Sequence, residues 1–212
     1  MAYFKTEGII LKKRNFAEAD RLLNIYTKDY GKISAIAKGA RRPRSRKGGH
    51  LELGNWCKIF VAQGKNIDIL TEVELKQPFG LINFTEQKAN KIYHLLEIVD
   101  LLSVTHQKNT TVFMLLLDFL KRIEDHEDFD SLSCAFKVKL LSNLGFFSSQ
   151  TLKNSTAKNV FMSFEQDNLD SIKKNLKLSA KSYLNLLVFL DSIIEDLAQS
   201  KLSTARFLWS EQ

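Results

Sequence analysis

The sequence predicts an α+β protein: a five-stranded β-barrel of OB type at the amino terminus, then a mostly α-helical domain. Three observations carry this. The first eighty residues alternate apolar and polar side chains with period two, cut by short turns. After Pro78 the apolar residues recur at helical spacing. The charge divides at the same place. Residues 1–80 hold 16 Lys and Arg against 8 Asp and Glu, and the rest hold 15 against 16, in a chain of 212 residues with net charge +7. The expected domains are therefore 1–79 and 80–212. A basic domain beside a near-neutral one suggests that the first meets a polyanion and the second has another task.

Five strands follow from the alternation, each with one face fit for a core. Ile9 and Leu11 oppose Gly8, Ile10 and Lys12, and Leu23, Ile25 and Thr27 oppose Leu22, Asn24 and Tyr26. Ile33, Ala35 and Ala37 oppose Lys32, Ser34 and Lys38, and Cys57, Ile59 and Val61 oppose Trp56, Lys58 and Phe60. Ile67, Ile69, Thr71 and Val73 oppose Asn66, Asp68 and Glu72. Asp29-Tyr30-Gly31 and Gln63-Gly64-Lys65 are expected hairpin turns, their glycines available for positive φ. The long connection is the third, residues 39–54. Five strands with that connection fit an OB barrel, which binds oligonucleotides on one face and its flanking loops. An SH3-like barrel satisfies the same strand count.

Helical stripes follow: Ala89, Ile92, Leu95, Leu96, Val99 and Leu102; then Phe113, Leu116, Leu117, Leu120 and Ile123; then Leu132, Phe136, Leu140, Leu141 and Leu144, closed by Gly145 as a C-cap. Residues 148–170 lose periodicity, and their apolar patch Val160-Phe161-Met162 suits a short strand or hairpin. Ser179 is placed to cap a helix through Tyr183, Leu186, Leu187, Leu190, Ile194 and Leu197. A last turn holds Phe207, Leu208 and Trp209.

The densest chemistry lies in the long connection. Lys38 to Lys47 contains Lys38, Arg41, Arg42, Arg44, Arg46 and Lys47 and no acidic residue, and Gly48-Gly49 follow. Arginine forks and lysine ammonium groups neutralise phosphates and release counterions, which gives affinity without sequence choice. Gly39, Gly48 and Gly49 would let backbones approach closely. Lys32, Arg14, Lys12 and Lys13 could extend the positive surface. Phe16, Tyr26, Tyr30, Trp56 and Phe60 are the aromatic candidates for stacking on bases. A solvated surface loop is the bland alternative.

Other chemistry is weakly represented. Cys57 and Cys134 lie in apolar stretches and read as buried free thiols of a reducing compartment. There is no CxxC, no zinc spacing among His50, His94, His106 and His126, no phosphate-binding loop, and no nucleophile elbow. The acidic run Glu124 to Asp130 reads as a connector, with Asp130 serving the next helix N-terminus. The start lacks a signal-peptide pattern, and apolar runs such as 112–117 are too short to span a bilayer. These absences weigh against an enzyme, and the expectation is a cytoplasmic protein without cofactor or metal. An RNA-binding module, a nuclease using residues 124–130, and a scaffold that binds no nucleic acid are the rival readings.

The stretch Gly31-Lys32-Ile33-Ser34-Ala35-Ile36-Ala37-Lys38-Gly39-Ala40-Arg41-Arg42-Pro43-Arg44-Ser45 resembles the bacterial DNA recombination and repair protein RecO family. Gly8-Ile9-Ile10-Leu11, Glu18-Ala19-Asp20-Arg21-Leu22-Leu23, Thr27 and Gly48-Gly49-His50-Leu51-Glu52 extend the likeness over residues 5–55. Beyond, only Leu141-Ser142-Asn143-Leu144-Gly145 and Ser203-Thr204-Ala205-Arg206-Phe207-Leu208 are recognisable. The resemblance implies an OB domain, a helical domain, and a non-enzymatic, nucleoid-associated mediator that binds single- and double-stranded DNA and anneals complementary strands. It also implies contact with the acidic tail of single-strand-binding protein, partnership with RecR, and loading of the recombinase. For that tail, Lys121 and Arg122, and Lys137 and Lys139 beside Phe136 and Leu140, offer cations next to apolar residues. Many relatives carry a four-cysteine zinc module after the Leu-Gly helix end. Residues 146–168 have no cysteine here, so zinc is not carried over.

Overall fold

The computed structural model describes residues 2–79, 85–123, 129–168, 171–172, 176 and 178–208. By packing, the chain forms two compact units, 1–113 with 202–212, and 114–201.

The first unit is built on five strands: β1 (Tyr3–Phe16), β2 (Asp20–Thr27), β3 (Gly31–Ala37), β4 (Trp56–Ala62) and β5 (Asp68–Gln77). They close into a barrel in the order β1-β2-β3-β5-β4, with β1 pairing β4. Every pair is antiparallel except β3 with β5, which meet in parallel over only two residue pairs, Ala35 with Asp68 and Ile36 with Ile69. This is the OB order, and it resolves the choice that strand count left open. Side chains fill the interior: Ile10, Leu23, Ile25, Ile33, Ala35, Ala37, Cys57, Ile59, Val61 and Leu70 are all buried there.

In two strands the inward face departs from the one their apolar residues suggest, throughout in β1 and up to Thr71 in β5. In β1 the inward residues are Phe4 and Ile10, and a Cβ at Gly8 would meet Ile25 Cγ2 at 2.6 Å. Ile9 and Leu11 lie on the other side of the strand and are also buried. A register shift between Ile10 and Lys12 follows. In β5 Leu70 points inward, then Val73 and Leu75, not Ile69 and Thr71. The pairing with β4 jumps from Leu70 to Glu72 as Val61 gives way to Phe60, so Thr71 is the extra residue of a bulge. Its hydroxyl donates to Phe60 O at 2.9 Å.

The two hairpin glycines differ. Gly31 has φ +66°, and its Cβ position lies 2.0 Å from Gln107 O, so no other residue fits. Gly64 needs no positive φ; a Cβ there would lie 1.9 Å from Ile67 O, so close approach selects it.

Between β3 and β4 stands the short helix α1 (Lys47–His50), and after the barrel comes α2 (Glu86–Leu102), capped by the Thr85 side chain. Ile92, Leu95, Leu96, Val99 and Leu102 are buried as their spacing requires. β1 packs on α2. The carboxylate of Glu97 holds the far end of the chain: it accepts from the backbone N–H groups of Ser203 and Thr204, both at 3.0 Å, and from both hydroxyls. Burial alone would push this carboxyl up, but those donors hold it below its ordinary value. The last short helix is Ala205–Leu208; Trp209 lies outside the described residues.

The unit boundary falls within α3 (Thr110–Arg122). The second unit contains α4 (Phe129–Asn143), α5 (Ser155–Gln166) and α6 (Ala180–Ala198). Asp130 stands in the first turn of α4, and the helix is buried on nearly every face. Gly145, at φ +79°, ends it: its N–H reaches Ser142 O and that of Phe146 reaches Leu141 O, both at 2.9 Å. Ser179 caps α6 by accepting from Ser182 N. Leu197, expected on the buried stripe of α6, is exposed instead.

The patch Val160-Phe161-Met162 is neither strand nor hairpin. It lies inside α5, capped by the Asn154 side chain, with Phe161 and Phe164 buried one turn apart. Glu165 joins this helix to the preceding turn, accepting from Ser142 Oγ at 2.6 Å and Ser149 N at 3.0 Å. No helix among the described residues is long and apolar enough to cross a membrane.

Candidate nucleic-acid interface

The basic loop leaves β3 at Lys38 and enters α1 at Lys47. Three tight turns shape it, with Ala40 N on Ala37 O at 3.4 Å, Arg42 N on Gly39 O at 3.2 Å and Ser45 N on Arg42 O at 2.8 Å. Both ends are anchored in the barrel core, through Ala40 on one side and Leu51 on the other. Of its glycines, Gly39 takes φ +66°, Gly48 sits 3.0 Å from Ala40 O by its Cβ position, and Gly49 faces open space. Close approach therefore explains Gly48 alone.

The loop is also fastened to the β1–β2 turn. Gly39 N donates to the Asp20 carboxylate at 2.7 Å, Arg41 N to Ala19 O at 2.9 Å, and the Arg41 guanidinium to Glu18 O at 3.2 Å. Sequence reasoning missed these anchors, although Glu18-Ala19-Asp20 stand in the same family-like stretch. Below the loop, Glu52 takes Arg21 at 3.2 Å and Lys13 as well. Burial works against this carboxylate, yet the two cations hold it below its ordinary value.

The structure sorts the basic residues by availability. Lys38, Arg41, Arg42, Arg44 and Arg46 are exposed, and among the described residues no carboxylate pairs with them. Lys47 is half-buried, its ammonium 3.4 Å from Leu70 O. Arg14 is exposed on β1, opposite Leu22, which in turn pairs with Ile36. That places Arg14 about 10 Å sideways from β3, near the strand end that Lys38 continues. Lys32 is elsewhere and engaged: it lies 3.7 Å from the buried Asp100 carboxylate and also donates to Asp100 O.

The four cations considered for a protein partner are not brought together. Lys121 is exposed at the end of α3, and Arg122 is bound to Asp118 at 3.0 Å. Lys137 is no surface residue, because it is enclosed with Asp191 of α6 at 2.5 Å. Lys139, half-buried, turns to α5 and donates to Glu165 O at 3.0 Å.

Both thiols are buried, and burial pushes Cys57 up to about 12, out of reach of a nucleophilic role at ordinary pH. Among the described residues no group of His, Cys, Asp and Glu could hold a metal ion. Residues 124–128 of the acidic run lie outside the described residues.

Comparison with known proteins agrees with this architecture. The profile for the recombination protein O N terminal matches residues 1–79, and that for the recombination protein O C terminal matches residues 92–205. The DNA repair protein RecO of Symbiobacterium thermophilum is 33% identical over 147 residues, covering 69% of this chain and 58% of its own. Its counterpart in Dehalococcoides mccartyi is 32% identical over 143 residues, 68% and 56% of the two chains. That of Heliobacterium modesticaldum is 31% identical over 146 residues, 69% and 53%. The chain spans just over half the length of these relatives. Two profiles that together cover most of the sequence, on a closed five-strand barrel followed by helices, establish that this chain belongs to the recombination protein O family.

Proposed function

We propose that this protein is a non-enzymatic mediator of DNA recombination and repair, acting at the nucleoid in the cytoplasm. In this reading the barrel, residues 1–79, binds single- and double-stranded DNA through the loop from Lys38 to Lys47 together with Arg14. One observation carries it: five exposed cations, paired with no carboxylate among the described residues, stand on a loop locked to the barrel at both ends and to the neighbouring turn. Such a loop presents fixed positive charge, so phosphate binding costs little ordering entropy. Neutralising phosphates on two strands at once lowers their mutual repulsion, which lets complementary bases meet without ATP.

The helical part, residues 80–212, carries the protein contacts: the acidic tail of single-strand-binding protein, RecR, and assistance in loading the recombinase. Lys121 is the exposed cation for the tail, with Arg122 beside it.

Alanine at Arg41, Arg42, Arg44 and Arg46 tests the DNA reading. Affinity should fall about equally for all sequences, and the slope of log affinity against log salt should drop by about one per lost phosphate contact. Unchanged affinity and slope would remove the loop from the interface. Competition with RNA of the same sequence separates the RNA-binding alternative.

A further inference from the structure

Small barrels of this type take single strands on the β2–β3 face and the β1–β2 turn. Here α2 closes part of that face. Asp100 receives Asn24 Nδ2 at 2.7 Å, and its carboxylate lies 3.9 Å from Lys12 and 3.7 Å from Lys32. Ser34 Oγ in turn donates to Asn24 Oδ1 at 3.0 Å. The middle of the face, from β1 across to β3, is thereby engaged. What stays open is the end beside the basic loop, where Arg14 and Phe16 stand on one side of β1, two residues apart and both exposed.

Four of the five aromatic candidates are occupied or enclosed. Tyr26 is buried, with its hydroxyl 3.4 Å from Asn109 O. Tyr30 leans on Phe4 with ring centroids 4.2 Å apart, and Phe60 stacks on Tyr3 at 5.8 Å. The Lys76 ammonium covers Trp56 at 4.3 Å. Phe16 differs: it is 44% exposed and touches no other ring among the described residues. It pairs with Asp20, the residue whose carboxylate fastens Gly39. The ring thus stands at the foot of the arginine loop, on a turn that the loop itself holds in place.

We propose that Phe16 is the base-stacking residue of this interface. An unpaired base lies on its ring while Arg14 and the loop cations hold the adjoining phosphates, so the site favours strands with accessible bases over intact duplex. The proposal rests on the loop being the nucleic-acid contact. A base–aromatic stack of ordinary strength corresponds to an affinity change of about 5- to 150-fold.

The test compares a labelled single strand, the same strand with abasic sites throughout, and duplex, by fluorescence anisotropy across salt. F16A and F16L should bind the single strand about 10-fold or more weakly. They should bind the abasic strand as the wild type does, with an unchanged salt slope, and F16W should restore single-strand affinity. If F16A binds the single strand normally while the four-arginine variant loses affinity, stacking is refuted and the loop assignment stands. If F16A weakens abasic and normal strands equally, Phe16 serves only the shape of the turn and the proposal fails. If the four-arginine variant also binds normally, the loop reading falls and takes this one with it.

Discussion

The ion pair enclosed between α4 and α6 makes a prediction that needs no ligand. Lys137 and Asp191 have side chains only 1% and 8% exposed, with Nζ and Oδ1 2.5 Å apart. Replacing Asp191 by Leu leaves the ammonium inside without its carboxylate. Removing one member of such a pair costs about 3–5 kcal/mol, a large share of the stability of a domain this size. The double replacement Lys137→Met with Asp191→Leu removes both charges and keeps the volume filled, so it should return stability to within about 1 kcal/mol of wild type or above it. The pH dependence has a definite sign. Burial pushes the Lys137 ammonium below its ordinary value, while Asp191, and more weakly Cys134 and Asp130, hold it up. Without Asp191 the folded form releases this proton more readily than the unfolded chain does. Stability of Asp191→Leu should therefore rise as pH rises from the lowered folded value towards 10.5, the ordinary lysine value. Urea unfolding followed by far-ultraviolet circular dichroism at several pH values reads the wild type and both variants. A cost of Asp191→Leu below about 1 kcal/mol, or a double variant as unstable as that single one, would refute the argument from an uncompensated buried charge.

Three further outcomes are expected. The Glu97 carboxyl is held below its ordinary 4.5 by Ser203 and Thr204, so its grip on the chain end is complete at neutral pH and lost as pH falls through the lowered value. An NMR titration should show the Thr204 amide moving only below about pH 4.5, with no such step in Glu97→Gln. Gly31→Ala forces a side chain at φ +66° into Gln107 O and should destabilise by about 2 kcal/mol or more, read as a lowered thermal midpoint. Asp100→Asn releases Lys12 and Lys32 from their carboxylate, so single-strand affinity should rise and the salt slope steepen by about one or more; an unchanged slope would mean those cations stay out of reach of phosphate.

Legibility in the sequence follows the physics of each element. β3 and β4 have one face in the core and mostly polar or aromatic side chains on the other, with Ile36 and Ala62 the aliphatic exceptions, so alternation located Ile33, Ala35, Ala37, Cys57, Ile59 and Val61 correctly. β1 has Ile9, Ile10 and Leu11 all buried because both of its faces are covered, and a continuous apolar run carries no phase. β5 changes phase at the Thr71 bulge, which nothing in the local sequence announces. α5 is hidden by Ser, Thr and Asn, residues that favour loops on average but here supply a cap and a polar face around Phe161 and Phe164. The basic loop was visible because its signal is composition. The state of each cation was not, since it depends on distant carboxylates: Lys32 waits for Asp100 and Lys137 for Asp191. A Lys-Val-Lys stretch on a helix reads as surface until the helix proves buried on nearly all sides.

The parallel contact of β3 with β5 has a kinetic consequence. Two residue pairs close the barrel there, while the other strand pairs run much longer, so the cylinder has a seam. Local opening follows the least-bonded path, and amides around Ala35–Ile36 and Asp68–Ile69 should exchange with solvent sooner than those of β1 and β4. β3 leads from that seam directly into the arginine loop, whose far attachment is the β1–β2 turn. A polyanion laid across loop and turn therefore acts as a clasp on the barrel. Its arrival would be recorded as slowed breathing at the seam, away from the residues it touches.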